Sequence, residues 1–591
     1  MMIRALLLML ALVAAPLMAQ HPADALAPEA AGAGGAQVPP ALEAAARAKA
    51  EGRPVEADRW MIAAAHPLAV EAGAGVLRAG GTAADAVVAV QAVLGLVEPQ
   101  SSGLGGGAFL VWHDGATGEM TTLDGRETAP LAATPTLFQD AGGAPLEFFE
   151  AVVGGRSVGV PGAPALLAEA HRRWGRTDWA GLFADAIRLA EDGFTVSPRL
   201  AGLVAGDAAR LARDADTRAY FLPGGQPLQT GATLRNPAYA DTLRRLAAEG
   251  ARPFYQGDIA ADIVARVQGA EGNPGLLSLT DLAIYQVRER PPVCAPYRGY
   301  EVCGMGPPSS GGVTVGQILG LLAPHDLAAL GPDGAEAWRL IGDATRLAFA
   351  DRGRYLADSD FVPVPVRGLL APDYLATRAA LLRGDAALPE VAPGRPEFDH
   401  ARDWGTGQDL TQPGTSHVSI VDSYGNALAM TSSIENAFGA RLMVRGFLLN
   451  NQLTDFSFAS HDDGLPVANA VAPGKRPRSS MAPTILRHEG VPVLVLGSPG
   501  GSRIIPYVAR TIVAMVDWGM DPQTAVALPH LVNRFGTYEL EAGAAWRAPA
   551  LRALGYEVAP AGMTSGLHVI EIGPRLRGGA DPRREGLAHG E

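Results

Sequence analysis

The stretch Pro413-Gly414-Thr415-Ser416-His417-Val418-Ser419-Ile420-Val421-Asp422 places a hydroxyl residue directly after a glycine, at the start of a run rich in β-branched residues. If the peptide bond between Gly414 and Thr415 were cut, Thr415 would carry a free α-amine beside its own hydroxyl. An adjacent amine can accept the hydroxyl proton and activate a threonine as a nucleophile. The stretch therefore predicts a cleavage site, Gly414–Thr415, and a catalytic nucleophile, Thr415.

Thr415 lies on the first arm of a predicted β-hairpin. Strands over 417–421 and 427–433 flank the turn Ser423-Tyr424-Gly425, whose glycine can adopt a positive φ. With the turn centred on Tyr424, residues equally distant from it face each other, which pairs Thr415 with Ser433. We therefore expect a second hydroxyl beside the nucleophile.

The composition is that of a well-buried globular protein. Of 591 residues, 48% are hydrophobic and 18% charged, and the net charge is -13. An acidic chain offers no basic surface for nucleic acid or for an anionic membrane. Neither kind of partner is expected, and an enzyme with small-molecule substrates fits better.

The amino terminus resembles a secretory signal. Arg4 supplies a basic start, an apolar run follows, and the small residue Ala19 ends it, so residues 1–19 predict a signal peptide that is removed. A membrane anchor is the alternative, but a run interrupted by Pro16 is short for a span of about 20 residues. Residues 20–59 are rich in Ala, Pro and Gly and predict a flexible leader. The mature protein is expected to be periplasmic or extracellular.

Two cysteines, Cys294 and Cys303, flank a predicted turn between short strands. In an oxidising compartment they would form a cross-strand disulfide, and the alternative is two buried free thiols. Two cysteines are too few for a disulfide scaffold and poorly spaced for a metal site.

Hydrophobic periodicity and turn residues divide the rest of the chain into helices and strands. Helices are predicted up to about residue 78, from Thr82 to about 96, over 164–174, 179–192 and 239–249, twice within 310–350, and over 504–518; strands are predicted over 108–112, 120–124 and 491–496. The glycines 103–107 precede a strand and not a helix, which favours close backbone packing over a phosphate cradle. Residues 384–414 predict an exposed connector.

Several separated motifs together resemble the γ-glutamyltransferases, also called glutathione hydrolases, of the amino-terminal-nucleophile (Ntn) hydrolase superfamily. The matching motifs are Glu98-Pro99-Gln100-Ser101-Ser102-Gly103-Leu104-Gly105-Gly106-Gly107, Arg126-Glu127, Pro308-Ser309-Ser310-Gly311-Gly312, Thr415-Ser416-His417, Leu449-Asn450-Asn451-Gln452, Lys475-Arg476-Pro477-Arg478-Ser479-Ser480-Met481 and Gly497-Ser498-Pro499-Gly500-Gly501-Ser502-Arg503. The similarity spans about residues 60 to 585.

The resemblance implies a fold and a subunit arrangement. The expected class is α/β (α+β), a four-layer αββα sandwich built jointly by a large part, 60–414, and a small part, 415–591, after self-cleavage. The two parts would remain together as a heterodimer. No metal and no organic cofactor is expected.

The resemblance also implies an activity. Thr415 would attack a γ-glutamyl amide such as glutathione, and the γ-glutamyl ester would pass to water or to an amino acid or dipeptide acceptor. Ser433 matches a family threonine that hydrogen-bonds the nucleophile. Gly500 and Gly501 match the oxyanion hole, where backbone N–H groups meet developing charge; a phosphate-binding loop and a purely structural turn are the alternatives.

The remaining matched residues suit a glutamyl group. Arg126 can hold its α-carboxylate bidentately, with hydrogen bonds added by Ser479 and Ser480. Asp455 and Gln452 match the residues that hold the α-ammonium.

Two departures from the family bear on specificity. Glu435 stands where the family has a substrate-contacting asparagine, and residues 456–474 contain no tyrosine, although well-known members close the pocket with a tyrosine-bearing lid. A cephalosporin or glutaryl acylase of the same superfamily is therefore one alternative function. A non-catalytic, exported amino-acid-binding protein is the other.

Overall fold

A computed structural model describes residues 36–400, 403–407 and 414–591 of the chain. The predicted signal peptide, 1–19, lies outside the described residues, as does the leader up to residue 35. Within the described part, no helix combines the length and the apolar character that crossing a bilayer requires.

Two seven-stranded antiparallel sheets form the centre of the molecule. The first, which we call the Thr415 sheet, has the strand order Leu587–Gly590, Met61–Ala64, Thr415–Val421, Ala427–Ser433, Gly107–His113, Met120–Gly125 and Arg288–Arg290. The second sheet has the order Val55–Ala57, Leu576–Ala580, His568–Ile572, Val491–Gly497, Thr484–His488, Tyr300–Gly304 and Val293–Tyr297. Each sheet contains strands from both sides of the Gly414–Thr415 bond, so the two predicted parts share one core.

The helices lie outside the two sheets. Those of eight or more residues in the described part are Glu43–Ala50, Pro67–Arg78, Ala83–Val97, Ala163–Trp174, Ala184–Asp192, Pro198–Leu211, Pro237–Glu249, Asp258–Gln268, Gly311–Leu322, Ala335–Tyr355, Pro372–Ala379 and Ile504–Val516. The predicted helix and strand positions agree with these elements to within a few residues. At the start of the helix Ala83–Val97, Thr82 and Asp85 form a reciprocal capping box.

Three apolar clusters define four layers. One, with Met61, Val111 and Ile570 among its members, fills the space between the two sheets. A second packs the helices around Ala83–Val97 on the outer face of the Thr415 sheet, and a third packs Gly311–Leu322 and its neighbours on the outer face of the second sheet. The predicted αββα sandwich is confirmed.

The flexible leader predicted for residues 20–59 is wrong for its described part. Residues 43–50 form a helix, and Val55–Ala57 pairs with Leu576–Ala580 at the edge of the second sheet. The helix buries Ala45 and Ala48 after Leu42, a helical spacing that the surrounding alanines made easy to mistake for low complexity.

Cys294 and Cys303 form the predicted disulfide. The two residues face each other across the hairpin Val293–Tyr297 and Tyr300–Gly304. The alternative of two free thiols is therefore wrong.

Candidate active site

The predicted hairpin register places the two hydroxyls together. Thr415 pairs with Ser433, and Thr415 Oγ1 lies 3.1 Å from Ser433 Oγ. Ser433 Oγ also donates to the carbonyl of Gly414 at 2.8 Å and accepts from the N–H of Glu435 at 2.8 Å. A hydroxyl has one proton, so the bond between the two hydroxyls is donated by Thr415 when Ser433 donates to Gly414.

Gly414 needs to be a glycine because of crowding. A Cβ at this position would lie 2.1 Å from the carbonyl oxygen of Glu435, a distance that no side chain tolerates. The close approach seats the carbonyl of Gly414 beside Ser433 and the residues that follow it.

The loop of Gly500 and Gly501 follows the strand Val491–Gly497 and begins beside the strand Thr415–Val421. A Cβ on Gly497 would lie 2.3 Å from the His417 ring, two residues from Thr415. Gly500 has φ 135° and Gly501 φ 58°, conformations that favour glycine. In the described part of the chain, neither backbone N–H donates a hydrogen bond, so both remain available to a substrate oxygen.

Arg126 and Asp455 form a fully buried ion pair. Nη2 of Arg126 donates to Oδ2 of Asp455, and Gln452 Nε2 donates to the same oxygen at 2.8 Å. Among the described residues, Nη1 of Arg126, Oδ1 of Asp455 and Oε1 of Gln452 are buried with no hydrogen-bond partner. Buried polar groups of this kind are rare unless they serve a ligand or a strained site.

Arg126 also contacts the serine segment. Its Nε donates to the carbonyl of Pro477 at 3.2 Å, and its Nη2 lies 3.3 Å from the carbonyl of Arg478. Ser479 and Ser480 follow directly in the chain, so Arg126 contacts the backbone of the segment that carries both serines. Ser480 Oγ accepts from Nη2 of Arg352 at 2.7 Å, and Ser479 Oγ accepts from the N–H of Met481 at 3.1 Å.

Glu127 lies between the Arg126–Asp455 ion pair and the Thr415–Ser433 hydroxyl pair. A Cβ on Gly107, which pairs with Ser433, would lie 2.6 Å from Oε2 of Glu127. Burial raises the pKa of Glu127 to about 8, against the opposing charge of Arg126, so this carboxyl is mostly protonated at neutral pH. Asp455, and not Glu127, therefore supplies the negative charge that faces Arg126.

Glu435 lies between the two halves of the site. It is a non-glycine residue with φ 76°, and its carboxylate accepts from Nδ2 of Asn451. Its chain neighbour Asn436 donates from its N–H to Oδ1 of the same Asn451. Glu435 is thereby held beside Gln452, the next residue after Asn451.

The glycines 103–107 serve close backbone packing, as predicted. A Cβ on Gly105 would lie 2.0 Å from the carbonyl of Leu448, and one on Gly106 would lie 2.1 Å from the carbonyl of Ser433. Nδ2 of Asn450 donates to the carbonyl of Gly105 at 2.7 Å, which ties this loop to the segment carrying Gln452 and Asp455.

A family model described as Gamma-glutamyltranspeptidase matches residues 69–590. The chain belongs to the gamma-glutamyltranspeptidase family. It is 38% identical over 493 residues to the "Glutathione hydrolase proenzyme" of Bacillus subtilis (strain 168), a match covering 82% of each chain.

Acylases are also similar to this gamma-glutamyltranspeptidase family member. It is 36% identical over 538 residues to the "Acylase ACY 1 proenzyme" of Pseudomonas sp. (strain V22), a match covering 90% of each chain. The solved structure of a cephalosporin acylase from Bacillus halodurans matches with a TM-score of 0.82 at 28% identity, covering 91% of this chain and 97% of that one.

Sequence reasoning missed three buried groups around this gamma-glutamyltranspeptidase site. Arg352 donates to Ser480 and to Ser310 Oγ, Glu127 lies behind Arg126, and Arg584 donates from Nη1 to the carbonyl of Thr415 at 3.0 Å. Glu127 lies inside the Arg126-Glu127 motif, which is the signal that could have pointed to it. The sequence around Arg352 and Arg584 carries no motif that indicates their burial.

Proposed function

We propose that Thr415 is the nucleophile of a self-processed γ-glutamyltransferase and glutathione hydrolase. The observation that carries the proposal is the Thr415–Ser433 hydroxyl pair, which the fold places at the peptide bond after Gly414. The family membership and the proenzyme names of the relatives support it. They also disfavour a binding protein without chemistry.

Self-cleavage would begin in the uncut chain. Thr415 Oγ attacks the carbonyl carbon of Gly414, the C–N bond breaks, and the nitrogen takes a proton, which leaves an ester. Ser433 polarises the attacked carbonyl through its hydrogen bond at 2.8 Å. Water then hydrolyses the ester, giving a carboxylate on Gly414 and a free amine and hydroxyl on Thr415.

The released α-amine makes the mature nucleophile. Its unperturbed pKa of about 7.7 to 8.0 lets it accept the hydroxyl proton near neutral pH and pass that proton to the leaving amine. Thr415 Oγ bonds to the γ-carbonyl of the substrate, whose oxygen is stabilised by the N–H groups of Gly500 and Gly501. Water then releases glutamate, or an amino acid or dipeptide takes the γ-glutamyl group.

The buried ion pair explains why a γ-glutamyl group would be selected. Arg126, with Ser479 and Ser480 beside it, faces the α-carboxylate, and the free oxygens of Asp455 and Gln452 face the α-ammonium. A substrate bearing both charges satisfies the buried polar atoms on both sides.

The substrate comparison that tests this function uses two anilides. With purified, processed wild-type protein we expect kcat/KM for γ-glutamyl-p-nitroanilide to exceed that for glutaryl-p-nitroanilide by at least about 10²-fold, since the glutaryl group leaves Asp455 unpaired. The absorbance of released p-nitroaniline measures both. A preference for the glutaryl compound would refute the γ-glutamyltransferase function and support the acylase function instead.

The acylase remains the second candidate because of Glu435 and the similarity to acylases. A γ-glutamyl anilide carries no net charge, whereas a glutaryl anilide carries one negative charge. Asn tolerates the positive φ of this position well, so Glu435→Asn should fold. Removing a negative charge near the pocket is expected to lower the γ-glutamyl to glutaryl kcat/KM ratio by about 3- to 10-fold. An unchanged or higher ratio would show that Glu435 does not set acyl-group choice.

We propose that the protein acts in the periplasm or outside the cell as a heterodimer of 60–414 and 415–591. The signal pattern of 1–19 and the Cys294–Cys303 disulfide support an oxidising compartment. Cell fractionation with an antibody to the small part would place it, and amino-terminal sequencing would locate both starts.

A further inference from the structure

Lys49 belongs to a part of the chain that lies before the residues matched by the family model. It stands in the last turn of the helix Glu43–Ala50, within the stretch whose sequence predicted a flexible leader. Ala45 and Ala48 bury the inner face of this helix, which packs beside the strand Leu587–Gly590. The side chain of Lys49 is half-buried, with its stem on the surface and its ammonium group turned inward.

The ammonium group holds two backbone carbonyls at once. Nζ of Lys49 donates to the carbonyl of Arg584 at 2.6 Å and to the carbonyl of Gly586 at 2.6 Å. These residues lead directly into the strand Leu587–Gly590. Space there is tight, because a Cβ on Gly586 would lie 2.5 Å from the carbonyl of Ala64.

Lys49 keeps its charge at neutral pH despite its surroundings. Burial lowers the pKa of Lys49 to about 8, and the carboxylates of Asp581 and Glu585 oppose that shift. A charged donor makes stronger hydrogen bonds to carbonyls than a neutral one. The two contacts therefore fix the backbone on both sides of Glu585.

The backbone held by Lys49 includes Arg584, and the side chain of Arg584 contacts Thr415. Nη1 of Arg584 donates to the carbonyl of Thr415 at 3.0 Å, and the residue is 3% exposed. The same nitrogen lies 4.0 Å from Oε2 of Glu98, which accepts from Ser416 Oγ at 3.3 Å. Arg584 and Glu98 thus hold the backbone of Thr415 and the side chain of the residue after it.

We propose that Lys49 is a positioning residue for Thr415, acting through the backbone of residues 584–586 and the guanidinium group of Arg584. The proposal rests on the proposed role of Thr415 as the nucleophile. It gives the helix Glu43–Ala50, which precedes the residues matched by the family model, a part in the reaction. Displacing Arg584 would let the Thr415 backbone shift and would misalign its hydroxyl with Gly414 in the uncut chain and with substrate in the mature enzyme.

The first test compares Lys49→Met with Arg47→Met in the full chain. Arg47 stands on the same helix with an exposed side chain and pairs only with Glu43 among the described residues, so its variant is the matched control. For Lys49→Met we expect precursor cleavage and kcat each to fall about tenfold, with KM changed less than about twofold, because misplacing a reacting group acts on the chemical step. Arg47→Met should keep wild-type values. Cleavage is followed by gel densitometry, and kcat and KM with γ-glutamyl-p-nitroanilide.

The second test separates positioning from simple loss of stability. The double variant Lys49→Met, Arg584→Met should cleave no more slowly than Arg584→Met alone, because Lys49 acts through Arg584. Lys49→Arg, which keeps a charged donor, should recover at least half of the wild-type kcat even if its melting temperature falls. Additive losses, or a Lys49→Met enzyme that melts earlier but retains wild-type kcat and cleavage, would overturn the proposal. If Lys49→Met fails to fold, Lys49→Arg decides alone. A folded Lys49→Arg protein in which kcat and KM both fall would overturn the positioning role of Lys49. Wild-type protein that stays uncut would instead refute the function itself.

Discussion

Thr415→Ala is expected to leave the chain whole and without measurable activity. The substitution removes the oxygen that attacks Gly414 in the precursor and the oxygen that attacks substrate in the mature enzyme, while the small side chain still fits the strand. Removing a nucleophile of this kind costs at least about 10⁴-fold in kcat. Intact mass spectrometry should show one species for the variant and two for wild type, divided between Gly414 and Thr415.

Thr415→Ser is the matched variant for that experiment. Serine retains the oxygen that lies 3.1 Å from Ser433 Oγ, so it should cleave, more slowly because its hydroxyl lacks the β-methyl group that fixes the rotamer. Wild-type protein left whole, or Thr415→Ala cut at the same bond as readily, would end the self-processing hypothesis.

The hairpin shows what sequence can predict well. A turn centred on Tyr424 and strict antiparallel register were enough to pair Thr415 with Ser433, and the structure has this pair. Local rules succeed here because the whole pairing depends on one short turn.

The buried charged groups show what local rules leave out. Arg584 is 169 residues from the carbonyl it contacts, and Arg352 is 128 residues from Ser480. Nothing in a charged side chain's own neighbourhood says that a distant segment will cover it. The helix that carries Lys49 was missed because alanines supplied its apolar face, and alanine patterns are weak evidence of burial.

Asp455→Asn is expected to cause the second largest loss, and to do so selectively for γ-glutamyl substrates. Asparagine has nearly the same shape, but it cannot balance Arg126, which is fully buried, or the α-ammonium of the substrate. Removing one partner of a buried pair costs about 3–5 kcal/mol, which corresponds to about 10²- to 4 × 10³-fold in kcat/KM.

The same variant should distinguish binding from processing. Cleavage after Gly414 uses Thr415 and Ser433 and does not need a substrate ammonium, so Asp455→Asn should still be cut. Asp463→Asn makes the same chemical change at an exposed residue between the short strands His461–Asp462 and Leu465–Pro466, and it serves as the control. Its γ-glutamyl and glutaryl activities should equal those of wild type.

Asp455→Asn is therefore expected to lower the ratio of γ-glutamyl to glutaryl activity, and not to lower both activities equally. Hydrolysis of γ-glutamyl-p-nitroanilide should fall by the full factor, while hydrolysis of glutaryl-p-nitroanilide, which has no ammonium group, should fall less. Equal losses for both compounds would mean that Asp455 matters only by holding Arg126 in place. In that case the ammonium site must be sought elsewhere, and Glu435, held beside Gln452 by Asn451, would be the carboxylate to test next.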